Sequence, residues 1–308
     1  MSNQRICDTN RLHNVERELK NISDITTYIK PASGEFPQIK GIDIFGESIP
    51  YNGVCGGDHI IFVDFNNRYD IEQRIQDALD KGRKEVARKL ERNKKRAGIL
   101  IADVSGHQIT DAVLAAMLHQ SFLIGVLYEL QQHGEISTQL FENLNTRFFN
   151  SSHISKFITL IYGEISEDGN FRFLNAGHPH PYVFSSKFDQ LVRIYFQQVV
   201  TVQPIGTLPS QEDIDAKRNF SRLGYKKKYT TNEINLMGKG DVLLLYTDGL
   251  AEHVDKKGAP FFPNQLELVL KGNKKKSARE IFQEIKTEYF RFGPAIDDMS
   301  LVVIKKKE

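Results

Sequence analysis

A chain of 308 residues, 40% of them apolar, can bury a large core, and its length alone admits one large domain or two small ones. A formal net charge of +2 supplies no global basic field of the kind that marks nucleic-acid binders. The two cysteines, Cys7 and Cys55, form neither a CxxC nor a Cys/His pattern, so they imply no zinc site and suit a reducing, cytoplasmic setting. Residues 1–10 lack an apolar signal core and no window approaches eighteen continuous apolar residues, so neither secretion nor a membrane span is expected.

From Asn14 to Lys30, Val15, Leu19, Ile22, Ile25 and Ile29 recur at helical spacing, and Pro31 ends the run. Such a stripe at the head of a chain docks on the domain's own core more often than on a second copy or a partner module. Pro31–Tyr51 is rich in Pro and Gly, yet the alternation of Ile42 and Ile44 marks a first strand and places the start of the core domain near Gly41. Gly56-Gly57-Asp58 then leads into the apolar run His59–Phe65. Paired glycines let a ligand approach the backbone, and they also punctuate ordinary turns. From about 66 to 97 the β pattern gives way to a charged segment of high helix propensity, with Ile71, Ile75, Leu79, Val86 and Leu90 as its apolar stripe. It reads as a helical insertion. Its basic run Lys81–Arg96 is a solvated face first and a surface for an acidic partner second.

Next, the apolar stretch Ile99–Ala102 stops at Asp103, a polar turn Ser105-Gly106-His107 follows, and Asp111–Met117 has helical composition. An aspartate where a buried strand ends is held rigidly while facing a cleft, a position from which a carboxylate grips a cation or orients water. It is equally a position where Asp satisfies turn or helix N-terminal amides. Leu114–Gln131 continues as an apolar helix, and Thr138–Phe149 repeats the period through Leu140, Leu144 and Phe148. Strands return at Phe157–Ile165, Phe171–Ala176 and Pro181–Ser185, the first two joined by a hairpin turn at Asp168-Gly169. His178 and His180 sit beside Gly and Pro, where a histidine is more often structural than a ligand. Gln190–Val202 reads as further β structure, Pro204-Ile-Gly206 as a turn, and Pro209–Asn232 as a polar, Lys-rich loop expected to be mobile.

In the last third, Val242–Tyr246 is an apolar strand that runs into Asp248-Gly249. Pro263–Lys271 and Ser277–Phe290 read as helices, and Asp297-Asp298 opens a final buried strand to Ile304. Acids therefore recur at four strand ends: Asp58, Asp103, Asp248 and Asp297. Each alone is ordinary turn chemistry. Gathered without partners they would repel and shift one another's pKa values, so their recurrence is explained most economically by convergence on hard cations.

Taken in order and spacing, GGD (Gly56–Asp58), DVSGH (Asp103–His107), NAGHP (Asn175–Pro179), PIG (Pro204–Gly206), GDVLLLYTDGLAE (Gly240–Glu252) and DDMSLVVI (Asp297–Ile304) resemble the SpoIIE/RsbU-like branch of PPM-type metal-dependent serine/threonine phosphatases. The resemblance runs from Gly41 to the C-terminus. It implies an α+β fold, an α-β-β-α four-layer sandwich of two mainly antiparallel sheets, with two Mn²⁺ or Mg²⁺ ions at one end. It further implies that Asp103 bridges the ions and the backbone carbonyl of Val104 ligates one of them. Asp248 and Asp297 would complete the other ion's protein ligands, and Asp58 would support the second ion directly or through water, with Asp298 a neighbouring secondary acid. Asp103 and Asp248 would thereby serve catalysis, in which a metal-activated water attacks phosphorus in line, and His107 is a candidate general acid for the leaving alkoxide.

The implied substrate is a phosphoserine or phosphothreonine on a bacterial regulatory protein of the anti-sigma-factor antagonist type, in a cytoplasmic signal-transduction role with no nucleic-acid or membrane partner. Residues 1–40 are expected to form a helix and linker able to act as a switch or homodimer element, and 41–308 the phosphatase domain. Gln108 stands where the family usually has Gly after the His of the SGH turn, and the insertion at about 66–97 and the 209–232 excursion exceed the usual pattern. The competing reading is a catalytically weak PPM-fold binding or scaffold protein that acts through its insertions.

Overall fold

The computed structural model describes residues 36–51, 56–106, 109–151, 156–192, 199–212, 214, 218, 220–236 and 238–307, with scattered helical positions between 13 and 25. One sheet takes the order β1 (Ile42–Ile49), β10 (Met299–Lys306), β9 (Val242–Tyr246), β6 (Tyr182–Ser185) and β7 (Gln190–Val192). The other takes the order β2 (His59–Asp64), β3 (Arg96–Val104), β4 (Ile158–Ser166), β5 (Asn170–Ala176) and β8 (Asn232–Asn235). All the ladders within both sheets are antiparallel.

Because successive strand residues point to opposite faces, each strand here feeds two apolar layers. Ile60, Phe62, Ile99, Ile101 and Ile161 of the β2 sheet meet Ile44, Leu243, Leu245, Val302 and Ile304 of the β1 sheet in the core between the sheets. The alternate residues Ile61, Val63, Leu100, Ala102, Leu160 and Tyr162 turn outward onto α4 (Ile109–Gln132) and α5 (Thr138–Ser151). On the far side, Leu244, Tyr246, Leu301 and Val303 pack against α7 (Asn264–Asn273) and α8 (Ala278–Phe292). The result is the expected α-β-β-α sandwich. A capping box fixes the start of α8, with the Ser277 side chain accepting from the Glu280 N–H and the Glu280 carboxylate accepting from the Ser277 N–H.

Between β2 and β3 the chain forms α1 (Phe65–Arg68), α2 (Ile71–Asp80) and α3 (Lys84–Asn93), and a single turn, α6 (Asp248–Ala251), follows β9. In the α2–α3 pair, the buried stripe runs through Ile71, Ala78, Ala87 and Leu90, while Leu79 is 47% exposed. Ile75 and Val86 pack against the same core as expected, and of the predicted stripe Leu79 alone departs, its neighbour Ala78 taking the buried place. In α4, Ala112, Ala115, Leu118, Phe122, Val126 and Leu130 are buried against the β2 sheet, and Val113, Met117, Ile124, Leu127 and Tyr128 are exposed on the other side. By length and composition Thr110–Gln132 is apolar enough to cross a membrane, with a mean hydropathy of 1.5; core helices of soluble folds meet the same test.

Two sequence expectations differ from the structure. Among the described residues of Gln190–Val202, Gln190–Val192 is a strand and Val202 makes an isolated bridge to Ala176, while 193–198 fall outside the described set. The ends of the Pro209–Asn232 excursion are held firmly. Lys226 is buried, its Nζ 2.8 Å from Glu142 Oε2 on α5 and 3.7 Å from the centroid of the Tyr229 ring. The Tyr229 N–H donates to Glu142 Oε1 at 2.7 Å. A charge taken out of water must be paired and hydrogen-bonded, and this pair pins the excursion to α5, while Ile214, Phe220 and Leu223 stand exposed between its ends. The rest of the N-terminal helix expected to reach Lys30, and both cysteines, lie outside the described residues.

Candidate metal centre

The rows of apolar residues between the sheets end in polar ones at a single end of the sandwich. On β3, Asp103 continues the row of Ile99 and Ile101, and its partner across the ladder is Thr159 of β4. Asp58 precedes the first pair of the β2–β3 ladder, His59 with Ala102, and extends the row of Ile60 and Phe62. From the other sheet, Thr247 extends the row of Leu243 and Leu245, and Ser300 and Asp298 extend that of Val302 and Ile304. The two sheets meet there: Thr247 Oγ1 donates to Asp58 Oδ2 at 2.7 Å and accepts from the Ser300 N–H at 2.9 Å.

The loops around these strand ends pass too close for side chains. A Cβ on Gly57 would lie 2.6 Å from the carbonyl oxygens of both Val104 and Gly106, so only glycine lets the loop carrying Asp58 lie against the end of β3. That loop is also bound by Asp298, whose carboxylate accepts from the Tyr51 N–H at 2.7 Å and the Gly57 N–H at 2.8 Å. A Cβ on Gly249 would lie 1.9 Å from the Asp298 carbonyl oxygen, which brings the Asp248 turn onto the start of β10. Asp297 sits beside it, its Oδ1 accepting from the Asp298 N–H at 2.8 Å.

The acids feel one another. Asp58 is 3% exposed, and burial raises its pKa well above the usual carboxylate range, the negative charge of Asp103 adds to this, and the Thr247 hydrogen bond opposes it. Asp103 is pushed up to about 7, by burial first and then by the charges of Asp248, Asp297, Asp298 and Asp111. Burial, then Asp297 and Glu252, raise Asp248 as well. The leading influences on Asp103 are thus all of one sign. Among the described residues no three His, Cys, Asp or Glu donors form a closed ligand group; the carboxylates interact as a field across the mouth between the sheets. An all-oxygen, acid-rich set suits hard divalent ions such as Mg²⁺ and Mn²⁺, so the residues present fit that group.

The five predicted acids therefore come to the same end of the fold, with the Val104 carbonyl facing Gly57. Asp298 is engaged by two main-chain amides, while His107 and Gln108 fall outside the described residues. Several supporting residues were not visible in the sequence. Asp111, fully buried on the first turn of α4, pairs with Lys156 Nζ at 2.8 Å, and the same ammonium donates to the Ser105 carbonyl at 2.7 Å. This clamps the turn that follows Asp103. His59 Nε2 lies 2.8 Å from His119 Nδ1, tying α4 to the residue next to Asp58. Apart from the Asp-rich turns themselves, no local signal marks these partners.

The family described as Stage II sporulation protein E (SpoIIE) matches residues 93–307. None of the curated proteins matches the sequence. Among solved structures, the RsbU and RsbW domains of a Mycobacterium tuberculosis protein share 17% identity with a TM-score of 0.59, over 88% of this chain and 62% of that one. The SiaA PP2C domain of Pseudomonas aeruginosa shares 13% identity with a TM-score of 0.61, over 96% and 98%. The catalytic domain of the serine/threonine protein phosphatase PstP, solved in complex with two manganese ions, shares 11% identity with a TM-score of 0.50, over 87% and 99%. This chain thus spans less than two thirds of the M. tuberculosis chain, and at these identities the likeness is one of fold.

Proposed function

We infer, from a chain that belongs to the SpoIIE family of PPM-type protein serine/threonine phosphatases, that it hydrolyses phosphoserine or phosphothreonine on a bacterial regulatory protein with the help of two Mn²⁺ or Mg²⁺ ions. The observation that carries this reading is the meeting of Asp58, Asp103, Asp248 and Asp297, drawn from both sheets, in one electrostatic field at the end of the sandwich. In this assignment Asp103 would serve both ions, the Val104 carbonyl would ligate one, Asp248 and Asp297 would serve the other, and Asp58 would support the second directly or through water. Asp298, already bonded to Tyr51 and Gly57, shapes the loop beside them. When bound, such ions would supply a water of lowered pKa as nucleophile and would neutralise phosphoryl charge.

The protein's own groups hold that arrangement. The Thr247 hydroxyl orients one Asp58 oxygen, and Lys156 restrains the turn after Val104 through Ser105 and Asp111. His107 is assigned the proton for the leaving alkoxide. A substrate of the anti-sigma-factor antagonist type is supported by the fold shared with a chain that carries RsbU and RsbW domains.

The test is phosphate release from a phosphoserine peptide and from an aryl phosphate, with and without Mn²⁺, comparing the native protein with Asp248→Asn. Metal-dependent release that disappears in the variant is expected. Mn²⁺ binding without release from any phosphoprotein or small phosphate would favour the scaffold reading, and no Mn²⁺ binding would remove the metal assignment.

A further inference from the structure

Asp248 and Asp297 would serve the same ion, yet they come from different stretches of chain. Asp248 opens the turn α6 after β9, and Asp297 lies on the segment that leads out of α8. The two stretches are joined through Tyr289, a fully buried residue in the last turn of α8. Its phenol donates to the Gly249 carbonyl at 3.2 Å. Its own main-chain carbonyl lies 2.9 Å from Nε2 of the equally buried His253; a carbonyl only accepts, so the imidazole donates from Nε2. Between these bonds the two rings stack, with centroids 3.8 Å apart and planes inclined by 24°. One residue of α8 thus grips the segment from Gly249 to His253 at both ends.

Neighbouring contacts leave that segment little freedom. A Cβ on Gly249 would lie 1.9 Å from the Asp298 carbonyl oxygen, and one on Gly293 2.3 Å from the Val254 carbonyl oxygen. Main chain therefore lies against main chain at each end of the gripped segment. Residues 293–296 alone separate α8 from Asp297. Within the turn, the Leu250 N–H donates to the Thr247 carbonyl at 3.1 Å and the Glu252 N–H to the Asp248 carbonyl at 2.7 Å. Gly249 follows Asp248 directly, so a shift of its peptide carries Asp248 with it. The phenol keeps the proton it donates, because burial first, and then the charges of Asp297 and Asp58, push its pKa up to about 12. Buried polar groups cost desolvation unless bonded, and these bonds have direction where the apolar packing around them has none.

We propose that Tyr289 and His253 are positioning residues: a brace between the α6 turn and the end of α8 that fixes the separation of Asp248 and Asp297 and, with it, which divalent ion the pair accepts. The choice of ion rests on the metal assignment above; the brace does not. Mg²⁺ demands near-ideal octahedral geometry, whereas Ca²⁺ accepts flexible sites of higher coordination. Carboxylates held at a fixed separation therefore favour Mg²⁺, and a loosened pair loses Mg²⁺ while still holding Ca²⁺.

Tyr289→Phe removes the phenol bond and keeps the stacked ring; His253→Phe keeps a ring and removes the Nε2 bond. Tyr162→Phe is the control for general loss of stability, since it breaks a buried bond in the other sheet, to Glu164 Oε1 at 3.0 Å. All three are made in the full chain. In the metal-free protein, amide hydrogen exchange at Leu250 and Glu252 is expected to quicken about two- to tenfold in both brace variants, the effect of one lost hydrogen bond, and to stay at the native rate in Tyr162→Phe. Mg²⁺ and Ca²⁺ affinities are read by competition with Mn²⁺ followed by electron paramagnetic resonance. Each brace variant is expected to bind Mg²⁺ about ten- to a hundredfold more weakly, as loss of groups that orient ligands does. Ca²⁺ affinity should stay within about threefold of native. Native exchange rates at Leu250 and Glu252 in both brace variants overturn the brace. Equal weakening of the two ions, unchanged affinity for both, or the same changes in Tyr162→Phe overturn the positioning role. If one brace variant does not fold, the other supplies both readouts. If the native protein binds no Mn²⁺, the metal assignment falls and amide exchange alone decides the brace.

Discussion

Thr247 and Asp58 belong to different sheets, and the hydroxyl of one donates to the carboxylate of the other at 2.7 Å, with both side chains buried. The same hydroxyl accepts from the Ser300 N–H, so a single oxygen ties an acid of β2's loop to the middle of the β1 sheet. Thr247→Val keeps the shape and removes both bonds. It is expected to cost about 1–3 kcal/mol, the penalty for leaving buried polar partners unmet, and to raise the Asp58 pKa further, since that bond lowers it. Urea denaturation gives the first effect. Mn²⁺ affinity measured against pH gives the second, as a binding curve displaced to higher pH.

Asp103 gives a pH dependence of unusual sign. Its carboxyl holds a proton in the folded protein up to about 7, against an ordinary value of 3.8. The native state therefore binds more protons than the unfolded chain between these values, and its share of stability, full in acid, is lost as pH rises through that window. Denaturation midpoints of the metal-free protein should fall between about pH 5 and 7, and Asp103→Asn should flatten that slope. Saturating Mn²⁺ should reverse it, because ligation requires the ionised carboxylate.

The Lys226–Glu142 pair offers a test away from the chemistry. Lys226→Met leaves the Glu142 carboxylate buried opposite an apolar chain and is expected to destabilise by about 3–5 kcal/mol. Adding Glu142→Leu should restore part of that loss. Chemical denaturation measures both, and phosphate release per folded molecule should stay near native if the pair serves only to hold the excursion on α5.

Gly57→Ala probes the approach of the loop to β3. The added methyl meets two carbonyl oxygens at 2.6 Å, so either the loop or the turn after Val104 must move. A stability loss of about 1–3 kcal/mol is expected, along with weaker Mn²⁺ binding by titration. Unchanged Mn²⁺ binding would show that the loop position does not govern the site.

The parts of the site that were legible are those encoded locally. An acid at the end of an apolar run names itself, as Asp103 and Asp248 do, and alternation of large apolar residues predicted the sheets. What stayed hidden depends on partners far apart in the chain. Thr247 and Asp58 are 189 positions apart, and Asp298 and Gly57 are 241 apart; no window of sequence holds both members. Lys226 sits in a run of three lysines that reads as solvated, and only its burial against Glu142 distinguishes it. Leu79 was assigned inward on size, whereas the structure gives that place to Ala78.

The tenth strand in chain order lies between the first strand and β9, and the residue just before it, Asp298, holds the loop of Gly57. During synthesis, then, the sheet bearing Asp58 and Asp103 can pair all five of its strands while its companion still lacks an inner one. Before Asp297 is made, the nascent chain holds Asp58, Asp103 and Asp248 of the five acids, and the β1 sheet has four of its strands without the one that joins β1 to β9. The joining of β1 to the rest of its sheet and the fastening of the Gly57 loop therefore wait on one short segment, Asp298 and the strand that follows it.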